Sequence, residues 1–572
     1  MKPARAAESA RVASVAVKRV AVARLAVPVV AVALVLVLGG TVTLGACAIP
    51  NLTESLVGTP RAVSVRRAFE GLKPTPVPSA VSLITDNPAS WAARWDLLAD
   101  AGKTIDASYF IVEDDVFGAA FLGHLFVKAR QGVKVRLLID GRGSVPLTMP
   151  LLGRDTLQEL VETGHAEVWI FNPPVTQVMR SLWERSLLPV SAGTHQKILV
   201  VDDTLAMTGG RNVSRVYFST VDEEPAAVVD ADILVDGPAV QEIRASMERE
   251  LESKQLARVW PDPVNLRSQK EELIMVHAAM DAWLRGTVPS SPVAEAMLAL
   301  EAKALASLAA VPETREREHL RGHLAELVRA QAVWGRAPLK SLERHEGTLK
   351  VVASASRADR LDDAAMDAFV RALGGARRDV MLTSPYFVIT PRLLHALEQA
   401  SRRGVAITLL TNSPISSDNT VSQALFLDTW PEIEARVPTL RIFAKKTPHL
   451  LHRKSAVFDD GLTFAGTFNI DPFSMHINSE MVVAVWSEAL NRQMRGEMDA
   501  LLGSGEFVEY RIVRDAKGKA RRYPPRHPRA GQAVVEYGPR DHVPRQDING
   551  LIGLRELLLS IRGAWDFEVF TG

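Results

Sequence analysis

Apolar and polar residues alternate along the chain in a pattern that predicts the same order of elements twice. An apolar segment at 109–112 leads into a helical stretch at 117–130, followed by a second apolar run at 132–138. The order recurs in the segments 386–389, 391–402 and 404–410. Strands that alternate with helices form mostly parallel sheets covered by helices. The pattern therefore predicts an α/β fold with two related halves, each a mostly parallel sheet flanked by helices.

The segment between the halves has a different character. Residues 271–284, 293–309 and 313–334 are rich in Ala, Leu and Glu with helical periodicity, interrupted by Gly286 and by a proline-containing turn at 289–292. This pattern predicts a helical insertion whose apolar faces pack against the halves. The expected organisation is a signal sequence or membrane anchor at 1–46, a linker at 47–80, the first half at 81–255, the insertion at 256–345, the second half at 346–503 and an extension at 504–572.

The extension combines a basic stretch with a short amphipathic helix. Residues 511–529 are basic and contain prolines, and the run from Asp515 to Gly518 predicts a hairpin turn. We expect a solvated hairpin there, with contact to anionic lipid headgroups as the alternative. Residues 551–561 predict a helix that docks on the body of the protein.

The N-terminus has the three parts of a bacterial export signal. Basic residues up to Arg24 precede an uncharged apolar stretch, and small residues lead to Cys47, the single cysteine of the chain. The run from Leu44 to Cys47 resembles a lipobox, in which the cysteine is lipidated and becomes the mature N-terminus. The alternative is an uncleaved membrane helix within residues 25–50. Both interpretations place the protein in the bacterial cell envelope, exported and attached to a membrane on the periplasmic side.

Length and charge narrow the function classes. A chain of 572 residues is too long for one core and suits two or three domains. It carries 67 basic and 66 acidic residues, so its overall charge gives no attraction to nucleic acid. No nucleic-acid partner is expected.

One polar motif occurs twice in the predicted halves. His195, Lys197 and Asp202 form a His-x-Lys-x4-Asp pattern, and an asparagine, Asn212, lies 17 residues after the histidine. The second copy has the same spacing and consists of His452, Lys454, Asp459 and Asn469. Strand alternation places a histidine and a lysine two residues apart on one face. We therefore expect two half-sites that meet on a pseudo-two-fold axis.

This set of residues suits phosphoryl transfer. A neutral histidine attacks phosphorus, and a protonated one gives its proton to the leaving alcohol. The lysines and asparagines stabilise the oxygens of the transferred group, so we expect neither a metal ion nor a cofactor. His195 is the expected nucleophile. We expect Asp202 and Asp459 to brace loops and strands rather than touch substrate.

At these residues the chain resembles the phospholipase D superfamily. The segment 466–474, with Asn478, Ser479 and Glu480 after it, is similar to a motif of bacterial cardiolipin synthases. The resemblance covers roughly 81–252 and 348–502 and implies a phosphohistidine intermediate and a phospholipid substrate. One departure is Phe473, which stands where those synthases usually carry arginine.

Each catalytic histidine needs a carboxylate partner for its other ring nitrogen. The resemblance implies Glu480 for the second half. The first half has no equivalent Asn-x-Glu, and Asp232 is the expected substitute, with Asp230 as the next candidate.

The expected function is cardiolipin synthesis from phosphatidylglycerol by a membrane-attached phosphatidyltransferase. A phospholipase D-type hydrolase that releases phosphatidic acid, a nuclease of the same superfamily and a non-catalytic envelope protein are the alternatives. The sequence leaves the headgroup, the acceptor alcohol and the oligomeric state open.

Overall fold

The computed structural model describes residues 64–560, except 74, 149–155, 185–191, 223, 254, 262–267, 286–341 and 357–362. The predicted export signal, Cys47 and the insertion segments 293–309 and 313–334 lie outside the described residues. The described chain divides into two compact units. The first consists of Val77–Thr176 and Gly193–Glu346, and the second holds the other described residues.

The first unit is built on one eight-stranded sheet. Its spatial order is β1-β7-β6-β5-β2-β3-β4-β8, in which β2 pairs parallel with β3 and β3 with β4, while all other neighbours are antiparallel. The strands are β1 (Val77–Ile84), β2 (Thr104–Tyr109), β3 (Lys134–Asp140), β4 (Ala166–Phe171), β5 (Ile198–Val201), β6 (Leu205–Gly209), β7 (Asp232–Asp236) and β8 (Leu256–Arg258).

The second unit repeats this sheet. Its order is β9-β15-β14-β13-β10-β11-β12-β16, again with only β10-β11-β12 paired parallel, and β17 pairs with β16. The strands are β9 (His345–Ser354), β10 (Asp379–Thr383), β11 (Ala406–Asn412), β12 (Leu440–Lys445), β13 (Ser455–Phe458), β14 (Leu462–Gly466), β15 (Glu480–Trp486), β16 (Phe507–Ile512) and β17 (Val535–Tyr537).

Helices cover these sheets. In chain order the described helices are α1 (Val65–Glu70), α2 (Asn87–Asp100), α3 (Val116–Arg130), α4 (Val145–Thr148), α5 (Thr156–Val161), α6 (Pro174–Glu184), α7 (Arg215–Phe218), α8 (Ala239–Leu251), α9 (Lys270–Leu284), α10 (Ala364–Gly375), α11 (Pro391–Arg402), α12 (Thr420–Arg436), α13 (Pro472–His476), α14 (Glu488–Gly503), α15 (Pro539–His542) and α16 (Arg545–Ser560).

The prediction of two related α/β halves is confirmed, and the structure adds that both sheets are mixed. Parallel neighbours need a long crossover, which the helices α3 and α11 provide. Strands β5 and β6 are joined by only three residues, as are β13 and β14, and such short connections permit only antiparallel hairpins. The parallel character expected from the sequence therefore holds for the three strands that alternate with helices.

The internal repeat is shifted by two residues from the alignment that the aromatic residues suggest. The sequence pattern matches Tyr109 with Tyr386. In the structure Val112 bridges to Val213, and Phe387 bridges to Ile470, in the equivalent position. Ile111 is therefore the counterpart of Tyr386, because backbone pairing and not side-chain type sets the register.

The predicted linker at 47–80 contains a packed helix. Val65, Ala68, Phe69 and Leu72 are buried at spacings that place them on one face of α1 and its end. Val65, Phe69 and Leu72 belong to the core of the second unit. Lys350 of β9 donates from Nζ to the carbonyl oxygens of Glu70 and Leu72, both at 2.8 Å, and so holds this segment in place.

Two further predicted elements are present. Helix α9 covers the predicted segment 271–284 and crosses α3 so closely that a Cβ on Gly123 would lie 2.5 Å from the carbonyl oxygen of Leu273. Helix α16 covers the predicted C-terminal helix, and its Ile548 and Leu551 pack against Leu427 of α12. Among the described residues, no helix is long and apolar enough to cross a bilayer.

Candidate active site

In the first unit the motif residues gather at the open end of a hairpin. His195 and Lys197 directly precede β5, and Asn212 follows β6 by three residues. Since β5 and β6 are antiparallel, the start of one and the end of the other lie at the same edge. The regular strand begins at Ile198, so the histidine and lysine lie just before it rather than within it.

Contacts with the segment that follows β2 draw these side chains together. The His195 ring meets the edge of the Phe110 ring with 5.2 Å between centroids. Lys197 Nζ lies 5.4 Å from the centroid of the same ring and donates to the His195 carbonyl oxygen at 2.8 Å. Asn212 Oδ1 accepts from the backbone N–H of Ile111 at 3.1 Å. Because Phe110 and Ile111 are consecutive, the three motif residues converge at the carboxyl end of β2.

The second unit builds the same arrangement. His452 and Lys454 precede β13, and Asn469 follows β14, at the open end of the second hairpin. Lys454 Nζ donates to the His452 carbonyl oxygen at 2.5 Å, as Lys197 does in the first unit. The side chains of both histidines are nearly buried, with exposed fractions of 8% for His195 and 5% for His452.

The two asparagines differ in their hydrogen bonds. Asn212 is held at both ends of its amide, since its Nδ2 also donates to the Tyr217 hydroxyl at 3.0 Å. Asn469 Oδ1 is buried and has no hydrogen-bond partner among the described residues. The amide of Asn469 therefore has an acceptor atom available to a bound group.

The two motif aspartates lie at the opposite ends of the hairpins from the histidines. Asp202 has a positive φ of 51° and accepts from the backbone N–H groups of Gly102, Lys103 and Thr104 at 2.7–2.8 Å. Burial raises the pKa of Asp202, but these three bonds outweigh that effect, so its pKa lies below the ordinary value. Asp202 braces the start of β2 and is not brought to the histidine.

Asp459 has the same role in the second unit. Its φ is 46°, and its carboxylate accepts from the backbone N–H groups of Arg377, Arg378 and Asp379 before and at the start of β10. Both aspartates thus tie a hairpin turn to the neighbouring strand, and neither lies beside the reactive side chains.

Sequence reasoning missed a pair of residues that hold the segment before each histidine. Asp140, the last residue of β3, accepts at Oδ2 from the backbone N–H of Thr194 at 2.9 Å. Asn412, the last residue of β11, accepts from the N–H of Leu451 at 2.9 Å and donates to its carbonyl oxygen at 2.8 Å. Thr194 and Leu451 are the residues directly before His195 and His452.

Asp140 is fully buried, and this changes its acidity. Burial raises the pKa of Asp140 to about 6, although the Arg142 guanidinium and the N–H groups of Gly143 and Thr194 act in the opposite direction. Its other oxygen accepts from the N–H groups of Arg142 and Gly143, both at 2.9 Å. The ionised carboxylate therefore fixes two loops of the first half-site at once.

Strand register identifies the carboxylate that corresponds to Glu480. Gly466 pairs with Val482 in the second unit, and Gly209 pairs with Asp232 in the first. Glu480 lies two residues before Val482, so its counterpart is Asp230 and not the expected Asp232. Both Glu480 and Asp230 are fully buried.

The surroundings of the two carboxylates fit their different lengths. Glu480 accepts a hydrogen bond from the Thr467 hydroxyl. The residue equivalent to Thr467 is Gly210, and a Cβ there would lie 2.2 Å from Asp230 Oδ1. The shorter aspartate thus occupies space that only glycine leaves free, which explains the glycine in the first motif.

Asp232 serves a different purpose. Its Oδ2 accepts from the Ser90 hydroxyl at 2.6 Å, from Arg94 at 3.0 Å and from Arg211 at 2.9 Å. Burial raises the pKa of Asp232, but the two guanidinium groups outweigh it and hold the pKa below its ordinary value. This carboxylate is committed to a buried charge network, so it is not the free partner that His195 was expected to use.

The second unit replaces this network with apolar side chains. Phe369 lies 11 residues before the β10 residue that corresponds to Ile105 of β2, as Arg94 lies before Ile105. Phe468 follows His452 as Arg211 follows His195, and Val482 takes the position of Asp232. Phe369 and Phe468 are packed with 6.5 Å between ring centroids.

Phe473 is the second residue of the short helix α13 and is half-buried. The helix is capped by Asp471, which accepts from the N–H groups of Phe473 and Ser474 at 2.9 and 3.1 Å. No group of His, Cys, Asp and Glu among the described residues has the arrangement of a metal site.

Comparison with known proteins matches both halves to one family model. The family described as "Cardiolipin synthase, PLD-like domain" matches residues 95–251 and 369–502, which together make up just over half of the chain. Cardiolipin synthase C of Escherichia coli is 27% identical over 420 residues, covering 70% of this chain and 80% of its own. Cardiolipin synthase B of Salmonella typhi is 24% identical over 423 residues, covering 74% and 80%.

A solved structure has the same fold over most of the chain. Phosphatidylserine synthase of Haemophilus influenzae superposes with a TM-score of 0.54 and 11% identity, covering 88% of this chain and 99% of its own. At this identity the likeness concerns the fold.

Proposed function

The chain belongs to the PLD-like domain family of cardiolipin synthases, and we propose that it is a membrane-attached phosphatidyltransferase that forms cardiolipin from phosphatidylglycerol. The observation that carries the proposal is the repetition of His, Lys and Asn at the open ends of two equivalent hairpins. One set alone supplies a nucleophile or an acid, whereas transfer through a covalent intermediate requires both roles.

In the first step the proposed nucleophile is His195. One ring nitrogen attacks the phosphorus of phosphatidylglycerol, a phosphorus–nitrogen bond forms, and the bond to the headgroup oxygen breaks. His452, protonated, gives its proton to that oxygen, and glycerol leaves. Lys197, Lys454 and Asn469 would stabilise the charge on the phosphoryl oxygens, since each offers N–H donors.

In the second step the neutral His452 takes a proton from a hydroxyl group of another phosphatidylglycerol. The resulting oxygen attacks phosphorus, the phosphorus–nitrogen bond breaks, and His195 is restored. The products are cardiolipin and one glycerol. Glu480 and Asp230 are proposed as the carboxylates that orient the histidine rings.

Hydrolysis is the competing outcome, and Phe473 is the observation that favours a share of it. A half-buried phenyl ring stands where related synthases usually carry arginine, so one cation for a second lipid phosphate is missing. Water then competes with the second lipid for the phosphohistidine and gives phosphatidic acid. We therefore propose transphosphatidylation accompanied by appreciable hydrolysis.

Membrane attachment is part of the proposal and rests on the N-terminal sequence. If Cys47 is lipidated, Cys47→Ala leaves an unacylated precursor of normal fold. Mapping the mature N-terminus by mass spectrometry tests this, and a terminus other than Cys47 would remove the lipoprotein and leave the membrane-helix alternative.

The activity is tested by supplying pure phosphatidylglycerol vesicles and identifying the products by mass spectrometry. Cardiolipin and glycerol in equal amounts support the synthase, and phosphatidic acid without cardiolipin identifies a hydrolase. Cleavage of DNA in a parallel assay, with no change in the lipids, would identify a nuclease.

A further inference from the structure

Positive charge is concentrated in one exposed segment of the second unit, residues 511–529, here named the basic arm. The arm carries one acidic residue, Asp515, and eight cationic residues: Arg511, Arg514, Lys517, Lys519, Arg521, Arg522, Arg526 and Arg529. The whole chain has a net charge of only +1, so the rest of it carries more acidic than basic residues. The arm is therefore a local feature and not part of a basic protein.

The arm is an ordered extension of the sheet edge. Past β16, Val513 bonds to Val534 and Arg521 bonds back to Val513, and Tyr523 pairs with Gln532 in a second hairpin. The carboxylate of Asp515 accepts from the backbone N–H groups of residues 517 and 519, both at 2.9 Å. The single acidic group is thus used to form the first hairpin turn, as the sequence predicted.

Three arginines fasten the arm to the body. Arg522 lies 3.1 Å from both carboxylate oxygens of Glu432, Arg514 donates to the carbonyl oxygen of Glu434 at 2.9 Å, and Arg511 lies 3.4 Å from Glu536. The first two contacts are made to α12, and the third to β17. These pairs explain the charge of three of the eight cations.

The other five cations have no carboxylate partner among the described residues. Lys517, Lys519, Arg521 and Arg526 are exposed, and Arg529 is half-buried with its guanidinium 6.0 Å from the Tyr523 ring. Clustered like charges repel one another and give no stability to the fold. Their arrangement on one rigid hairpin pair suits an external polyanionic surface.

We propose that the basic arm docks the protein on the anionic headgroups of a bilayer, which extends the proposed function by naming the surface that presents the substrate. A lipid surface is favoured over nucleic acid because single-stranded nucleic acid is held by open aromatic rings. The aromatic ring of the arm is occupied, since Tyr523 stacks on His527 with centroids 4.1 Å apart and planes 10° apart. Each cation near an anionic membrane strengthens binding by roughly fivefold.

The test uses a quadruple variant, Lys517→Gln, Lys519→Gln, Arg521→Gln and Arg526→Gln, in the full-length protein. A matched control, Arg67→Gln, Lys73→Gln, Lys134→Gln and Arg249→Gln, removes the same charge from exposed side chains that also lack a carboxylate partner among the described residues. Binding is measured by cosedimentation with vesicles of phosphatidylcholine alone and of phosphatidylcholine with phosphatidylglycerol. Every variant keeps residues 1–46, so any contribution of the N-terminus is equal.

The arm variant is expected to bind the phosphatidylglycerol vesicles at least about tenfold more weakly than the wild type, with binding to phosphatidylcholine unchanged. High salt should remove the preference of the wild type for the anionic vesicles. A double variant, Lys517→Gln with Arg526→Gln, should lie between the two. Equal binding by the wild type and the arm variant, or an equal loss in the control variant, overturns the proposal.

Two further measurements separate this proposal from the proposed function and from another partner. With phosphatidylglycerol dispersed in neutral-detergent micelles, the arm variant should turn over substrate like the wild type. An inactive wild type that still shows arm-dependent vesicle binding would refute the proposed function and leave the arm's role intact. Arm-dependent binding to DNA, with vesicle binding unaffected, would assign the arm to nucleic acid instead.

Discussion

The Asp140 carboxylate accepts a hydrogen bond from the backbone N–H of Thr194, the residue directly before His195. Asn412 binds Leu451 in the same way before His452, although 39 residues separate that pair and 54 separate the first. Each proposed catalytic histidine is therefore positioned through its preceding peptide by the end of a buried parallel strand.

Asp140→Asn tests this positioning. The amide offers one oxygen where the carboxylate has two, so a buried N–H loses its acceptor at a cost of about 1–3 kcal/mol. We expect kcat to fall about 10- to 100-fold with a smaller change in KM, because a misplaced nucleophile affects the reacting geometry more than lipid binding. Asp106→Asn is the control, since Asp106 is buried in the same unit but pairs with Arg136. An equal fall in kcat in both variants would show a general effect of destabilisation.

Asp140 also predicts a pH dependence of stability. Its folded pKa of about 6 lies above its unfolded value of 3.8, so its contribution is full below pH 3.8 and is lost as the pH rises through about 6. Relative to the wild type, Asp140→Asn should therefore gain thermal stability between about pH 4 and pH 6.5, by an amount on the order of 2–3 kcal/mol, and show no further change above that. Thermal unfolding of both proteins across this range measures the difference. A difference that is independent of pH would contradict the raised pKa.

The carboxylate assignment is tested by comparing neighbours in β7. Asp230→Asn and Glu480→Gln should each lower kcat by about 10²-fold or more and alter its pH profile, because the histidine ring loses its orienting partner. Asp232→Asn should instead lower stability and leave the pH profile of the remaining folded enzyme unchanged. A changed profile for Asp232→Asn alone would restore the original assignment of that residue.

The buried network around Asp232 predicts a strongly non-additive set of variants. Arg94→Ala alone leaves Asp232 with less compensation and should cost about 3–5 kcal/mol. The triple change Arg94→Phe, Arg211→Phe and Asp232→Val copies the apolar side chains of the second unit and should recover most of that loss. Chemical unfolding of the single and triple variants gives the comparison. A triple variant less stable than Arg94→Ala would show that the first unit cannot accept the apolar solution.

Phe473→Arg tests the origin of the product ratio. An added guanidinium at α13 should strengthen the hold on a second lipid phosphate and raise the ratio of cardiolipin to phosphatidic acid several-fold. Phe473→Leu, which changes the side chain without adding charge, is the control. Equal shifts in both variants would make the size of the side chain, and not its charge, responsible.

The parts of this site that the sequence predicts are those fixed by local spacing. A histidine and an asparagine 17 residues apart enclose two short strands, and such strands can only form a hairpin, which brings both residues to one edge. The periodicity of residues 391–402 likewise predicts α11 at its observed bounds.

The parts that the sequence does not reveal depend on pairing between distant strands. Asp232 was favoured over Asp230 because nothing in the sequence specifies which β7 residue faces Gly209, and a shift of two residues keeps the same face. Asp140 is an ordinary strand-end aspartate until the fold brings Thr194 to it. A signal was present only in comparison, since Asp140 and Asn412 occupy the same place in the two repeats.

The measurement that addresses the central proposal most directly is product formation from pure phosphatidylglycerol vesicles by the wild type, His195→Ala, His452→Ala and the double variant. We predict cardiolipin with an equal amount of glycerol and some phosphatidic acid from the wild type. Each single variant should lose turnover as completely as the double variant, because residues that act as a unit are non-additive. Half of the wild-type turnover in each single variant would show two independent sites and contradict the account.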